Sequence, residues 1–435
     1  MKRRLLPILM TLVLVCALPI WAAFVTSRDV TNPLVCTAGA TSPPDNAATR
    51  LKSAISNGGT VQLTEDIEIS ETLVVTRDVT LDLNGHVLKM TGDGSVLYVK
   101  KDGPNTVTLT ITDSRPQNPH TGSYADLPAG GVITGGKGPN VTGIYYDYVG
   151  GAVFLEKDTT LKLEGGTLTV NSGSSIYIDG ATLVMSGGTI TGKTVGVHNN
   201  VGTFTMTGGR ITGRSDRGVY VYNGNMTMSG TAYIGENPNA RKEDIYVYES
   251  DHKHTDLSVT GGTIAGKVRI VFLESLGPTQ EELKAAANSV VKEQGVFDGH
   301  IKVEKGTSGT CVDYNSVNYI DEVAKTRTLK LVLQPNAVEE PETPATVNGR
   351  EFMYWTKEGA SEAWDFNTVI EVPLTLYAVR TPASSSGGYY YHPTTDTKAD
   401  DAKGSPKTAD PGVALYAALS LLSLTGLTCT GRKKF

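Results

Sequence analysis

At 435 residues, with 39% apolar side chains, the chain has the length for two or three domains and the material for a sizeable core. Its 48 glycines and abundant threonines favour β-structure with frequent turns over long helices. A formal net charge of -6 leaves no excess of Lys and Arg to displace phosphate counterions, which argues against a nucleic-acid binder.

Lys2, Arg3 and Arg4 precede an apolar run over residues 5–23. A basic cluster ahead of an apolar run predicts an export signal peptide, assigned to residues 1–27. Pro7 and Pro19 interrupt the run, which disfavours a long membrane helix; an uncleaved membrane anchor is the alternative. Of the four cysteines, Cys16 falls in this segment and Cys429 near the C-terminus, leaving Cys36 and Cys311 in the exported part. Two distant cysteines form neither a disulfide framework nor a metal motif. Each reads as a structural thiol, with a single bridge as the alternative.

Residues 28–272 read as one solenoid. The segment NAATRLKSAIS, residues 46–56, has helical apolar spacing and is stopped by Asn57-Gly58-Gly59, which predicts a helix that caps an open core. Short strands follow at residues 61–63, 67–69, 73–75 and 80–83. Further on, five segments align: TLKLEGGTLTV from Thr160, TLVMSGGTITG from Thr182, TFTMTGGRITG from Thr203, NMTMSGTAYIG from Asn225 and DLSVTGGTIAG from Asp256. Their starts lie about 21 or 22 residues apart, except where residues 236–244 lengthen one coil. A third strand per coil lies at residues 175–179, 196–200, 218–223 and 244–248.

Three short strands in about 22 residues predict a parallel β-helix. Side chains two apart share a face, and neighbouring coils stack at about 4.8 Å. The inward rows are then Leu161, Leu183, Phe204, Met226 and Leu257; Leu163, Met185, Met206, Met228 and Val259; and Leu168, Ile190, Ile211, Tyr233 and Ile264. Thr and Ser between them face outward. Tyr177, His198 and Tyr220 recur at one outward position, with Tyr246 beside them and Tyr222 and Tyr248 two residues on. An aromatic stripe on a flat sheet predicts a glycan-binding face by ring stacking; the alternative is the ordinary preference of strands for Tyr.

The stretch Thr80-Leu-Asp-Leu-Asn-Gly-His86 resembles an early coil of right-handed parallel β-helices in the pectin-lyase-like superfamily, and the likeness covers roughly residues 45–272. It implies the hand of the solenoid but no single function, because that fold hosts lyases, hydrolases, adhesins and stalks. A lyase would need clustered acids for calcium, the one cofactor considered, and a base beside them. The charged residues Arg210, Arg214, Asp216, Arg217, Glu236, Arg241, Lys242, Glu243, Asp244, Asp251, His252 and His254 are the place to look, and most read as solvated turn charges. Glycoside hydrolysis needs two carboxylic acids about 5–9.5 Å apart. Acids are sparse in the strands, chiefly Asp82, Glu156, Glu164 and Asp179, and Glu156 and Glu164 do not recur in one row. No catalytic residue and no metal site is assigned.

Residues 273–326 leave the repeat. TQEELKAAANSVVKEQ from Thr279 predicts an amphipathic helix with Thr279 as N-cap and Glu282 completing a capping box, part of an α/β cap. Residues 327–380 contain Gly349-Arg-Glu-Phe-Met-Tyr-Trp355, Trp364-Asp-Phe-Asn-Thr368 and Leu374-Thr-Leu-Tyr-Ala378, with an opening strand from Thr328 to Leu333. This pattern resembles the Listeria–Bacteroides repeat, which implies a small β-grasp-like module of surface proteins; Met353 stands where the family has Gly. Residues 381–404, rich in Ser, Gly, Thr and Asp, predict a flexible linker.

The chain closes on Ser405-Pro406-Lys407-Thr408-Ala409-Asp410, an apolar stretch from about Val413 to Thr430, and Arg432-Lys433-Lys434. The apolar stretch is near the length that spans a bilayer core, with its basic flank on the cytoplasmic side. Residues 405–435 resemble LPXTG-type sorting signals. Pro406 and Thr408 match the pattern, while Ser405 replaces Leu and Ala409 replaces Gly. The resemblance implies that a sortase cysteine attacks the Thr408 carbonyl, releases Ala409 onward and transfers the chain to a peptidoglycan amine. The expectation is a wall-anchored surface protein of a Gram-positive bacterium that binds a polysaccharide or host-surface ligand. A wall-anchored polysaccharide lyase or glycoside hydrolase, and a stalk without specific ligand, are the alternatives.

Overall fold

Asn46 accepts a hydrogen bond from the Ala48 N–H through its side-chain oxygen, at 3.1 Å, and so starts helix α1, Ala47–Asn57. Leu51, Ala54 and Ile55 form its buried face. Gly58, at φ +79°, stops it and turns the chain into the first strand. The computed structural model describes residues 46–138, 150–170, 172–213, 217–235, 243–250, 256–290, 296–297, 299–306 and 311–383. The expected signal peptide, Cys36, Arg214, Asp216, Glu236, Arg241, Lys242, Asp251, His252, His254, the sorting signal and most of the linker lie outside the described residues.

Behind α1 the chain winds through three sheets of parallel strands, the architecture of a parallel β-helix. The first sheet has eight strands, from Gly59–Gln62 to Leu257–Val259. The second has nine, from Ile67–Ile69 to Val296–Phe297. The third begins at Leu73–Val75 and runs on beyond the solenoid. Two inward rows stack as their periodicity predicts: Leu161, Leu183, Phe204, Met226 and Leu257 pair in register, as do Leu163, Met185, Met206, Met228 and Val259. The third row differs at one place. Ile211 pairs with Ile234, and Ile234 with Ile264, so Ile234 fills the position predicted for Tyr233. The turn between Met228 and Tyr233 holds four residues where the preceding coil has three, and one extra residue exchanges the two faces. Tyr233 points outward, with the Arg210 guanidinium 4.0 Å from its ring centroid.

The Gly-Gly turns join the first sheet to the second for two separate reasons. A Cβ on Gly187 would lie 2.2 Å from the Glu164 carbonyl oxygen of the coil before it. Gly188 adopts φ +74°, a conformation costly for any residue with a Cβ. This coil therefore seats on its predecessor only if both positions are glycine.

At the far end, helix α2, Gln280–Val290, closes the core with Leu283, Ala287 and Val290. Its capping box forms: the Glu282 N–H donates to Thr279 Oγ1 at 3.2 Å, and the Thr279 N–H donates to Glu282 Oε2 at 2.7 Å. Strand Cys311–Asp321 then pairs antiparallel with the last coil strand, His300–Lys305. Its Val312 and Tyr314 belong to the solenoid core, whereas Val317 and Tyr319 belong to a second core with Trp355, Ile370 and Leu376. Strand Thr326–Leu333 pairs with it antiparallel and strand Leu374–Arg380 parallel, so the module after residue 326 shares a sheet with the cap. Arg380 and Asp321, 1% and 3% exposed, lock the two at 2.6 Å. The Cys311 thiol is exposed. Among the described residues no helix is long and apolar enough to cross a membrane.

Candidate functional site

The outward side chains of the third sheet line up coil upon coil. Tyr177 pairs with His198, His198 with Tyr220, and Tyr220 with Tyr246. The row starts two coils earlier than the repeats indicate, because Tyr98 pairs with Phe154 and Phe154 with Tyr177. Successive ring centroids lie 5.3, 5.3, 4.7, 4.6 and 5.4 Å apart. Beside it runs a second row, Asp179, Asn200, Tyr222 and Tyr248. Its two tyrosines stack 5.7 Å apart at 11°. Tyr98 and Phe154 escape a sequence reading because a long connection separates their strands and breaks the coil period.

Burial divides the six expected glycan-binding residues. Tyr177 and His198 are 4% and 8% exposed, enclosed between neighbouring rings. Tyr220, Tyr222, Tyr246 and Tyr248 are half-buried. Burial, then the charge of Asp179, pushes the Tyr177 hydroxyl up to about 12, with the Asn200 amide opposing. Asn200 Nδ2 also donates to Asp179 Oδ1 at 2.8 Å. Tyr222 is fixed from its oxygen: Ser250 Oγ lies 3.0 Å away and is itself bonded to Asn223 Nδ2 at 2.8 Å. Phe154 and Tyr177 stack at 12°, His198 tilts 34° to Tyr220, and Tyr98–Phe154, Tyr177–His198 and Tyr220–Tyr246 meet edge to face.

The first row passes into charge at its C-terminal end. Tyr246 pairs with Arg269, and Arg269 with Lys302. The Arg217 guanidinium sits 4.0 Å from the Tyr246 centroid. Glu243 lies 3.7 Å from Arg217 and 3.5 Å from Arg269, while Glu304 contacts Arg269 and takes Lys302 at 2.8 Å. Burial pushes Glu304 up, but the Lys302 and Arg269 bonds outweigh it and hold its carboxyl below the usual range. Glu243, Lys267, Val268, Arg269, His300 and Lys302 line a cleft of about 220 Å³ here.

The strand acids do structural work. Asp82 accepts from Gln62 Nε2 at 2.7 Å and from the Asn84 and Ser114 N–H groups at 2.9 Å, tying successive turns together. Asp179 belongs to the Asn200 network and Glu156 to the hydroxyl of Tyr98. Among the described residues no group of three His, Cys, Asp or Glu side chains could hold a metal ion. The arrangement places half-buried tyrosine rings beside the fixed cations Arg217 and Arg269 at one end of the row. Comparison of the chain with family models, with curated proteins and with solved structures gave no match.

Proposed function

We propose that this chain is a secreted, wall-anchored surface protein of a Gram-positive bacterium whose β-helix binds glycans or host-surface molecules along the outer face of its third sheet. The paired aromatic rows carry this reading. A parallel β-helix is held together by its inward rows, yet Tyr220, Tyr222, Tyr246 and Tyr248 hold ordered rings on the outer face beside Arg217 and Arg269. Tyr and Arg are the side chains that most often anchor binding surfaces. The order of signal peptide, solenoid, small module, linker and Ser405–Asp410 segment supports display at the wall by a sortase, with peptidoglycan as the covalent partner.

The test is an array of immobilised glycans and host glycoproteins probed with the purified chain, run beside a depolymerisation assay. Binding without turnover is expected. The double variant Tyr222→Ala, Tyr248→Ala should bind about 2- to 10-fold more weakly per ring lost, the worth of one aromatic contact of about 0.5–1.5 kcal/mol. Release of unsaturated sugars would make the protein a lyase, and neither binding nor turnover would leave it a stalk.

A further inference from the structure

A second surface lies on the second sheet, away from the aromatic rows. Between the first-sheet strand Val107–Thr112 and the second-sheet strand Val132–Thr134 the chain makes a long excursion, residues 113–131, where the coils before and after use turns of four and three residues. The excursion is closed at its neck: the Gly130 N–H donates to the Asn118 carbonyl at 2.9 Å, and His120 Nε2 lies 2.7 Å from the Gly130 carbonyl. Asp113, at its start, accepts from the Gly131 N–H at its end, 2.6 Å, and from the Gly85 N–H of the preceding coil, 2.8 Å. Its tip folds back over the second sheet, where the Tyr124 hydroxyl donates to Glu68 at 2.8 Å. A compact loop anchored at neck and tip is a built feature of the surface, and such loops carry function disproportionately.

Under this loop lies a groove of about 250 Å³. Its floor is the outward row of the second sheet. Lys89 pairs with Thr134; Thr169 pairs with Thr191, and Thr191 with Thr212, whose hydroxyls are 3.1 Å apart. Its wall is the loop itself, with Tyr124, Leu127 and Pro128 as apolar surface and Asp126 at the rim. The charge of Lys89 is taken up by Glu68 at 2.9 Å, and its ammonium lies 5.4 Å from the Tyr124 centroid.

We propose that this groove binds one neutral hexose unit. Each threonine hydroxyl both donates and accepts, which matches the hydroxyl edge of a sugar. The Tyr124–Leu127–Pro128 surface covers the C–H face of a pyranose ring. With Lys89 already paired and Asp126 present, an anion gains nothing here. The volume falls below the 300–1,000 Å³ typical of drug-sized ligands, so it takes a single ring. The site is separate from the aromatic rows, on another sheet, and does not depend on them.

Saturation-transfer NMR on the purified full chain tests it, using methyl glucoside, methyl galactoside, methyl mannoside and N-acetylglucosamine, with glucuronate as the anionic comparison. At least one neutral glycoside should give signal in the millimolar range, and glucuronate should give none. The isosteric pair Thr169→Val, Thr191→Val should weaken binding at least fivefold with an unchanged circular dichroism spectrum. Tyr124→Ala should abolish binding, whereas Tyr124→Phe, which keeps the ring and drops the Glu68 bond, should retain it. The inference is overturned if no neutral glycoside binds. It is equally overturned if the valine pair binds normally, or if binding is lost in Tyr222→Ala, Tyr248→Ala but not in the valine pair. Failure of the array test with success here would overturn the aromatic rows alone.

Discussion

Asp244 stands at the entry to strand Ile245–Glu249, only 5% exposed, and Gly266 packs so closely that a Cβ there would lie 2.3 Å from its Oδ2. Burial pushes its carboxyl up to about 6. The folded state therefore favours the protonated acid. The stability this contributes is full below the ordinary value of about 3.8 and is lost as pH rises through about 6. Asp244→Asn is expected to raise the melting temperature at pH 7.5 and to remove the decline between pH 4 and 6. Thermal melts across that range check both. Arg380 and Asp321 have the opposite character. Burial alone would raise Asp321, but the Arg380 bond and the Ala324 and Val323 N–H groups outweigh it and hold it low. Arg380→Ala leaves a buried carboxylate unpaired and should cost about 3–5 kcal/mol in urea unfolding. Replacing the pair together with Asp321→Leu and Arg380→Met should recover much of that loss.

Among the elements, the inward rows were legible because period-two alternation and the Gly-Gly turns repeat with the coil. Phe204, fully buried between Leu183 and Met226, is the largest member of its row. Phe204→Ala should destabilise by about 3–5 kcal/mol, measured by denaturant midpoint, because its neighbours are held by their own ladders and cannot collapse into the space. Tyr233 shows where periodicity fails. A turn one residue longer keeps the pattern and exchanges the faces, and only the pairing of Ile211 with Ile234 reveals it. The aromatic rows were visible as repeats, but the burial of Tyr177 and His198 was not, since it comes from rings in adjacent coils. The groove under residues 113–131 left no periodic signal at all. Its loop meets the second sheet where Tyr124 bonds Glu68, 56 residues away in sequence, and loops that reach across coils are invisible to a reading that follows spacing.

For the whole molecule, the shared strand Cys311–Asp321 makes the cap and the small module one continuous sheet with the solenoid. Both proposed surfaces presuppose that the chain is displayed, and display rests on residues 405–435. The most direct measurement is therefore cell fractionation of the wild-type chain and Thr408→Ala in a host with its own sortases. The wild-type chain should reside in the murein fraction and be released by wall-digesting enzymes, while Thr408→Ala should shift to the membrane or the medium. Equal retention of both in murein would contradict sortase anchoring, and with it the reading of this chain as a wall-displayed binding protein.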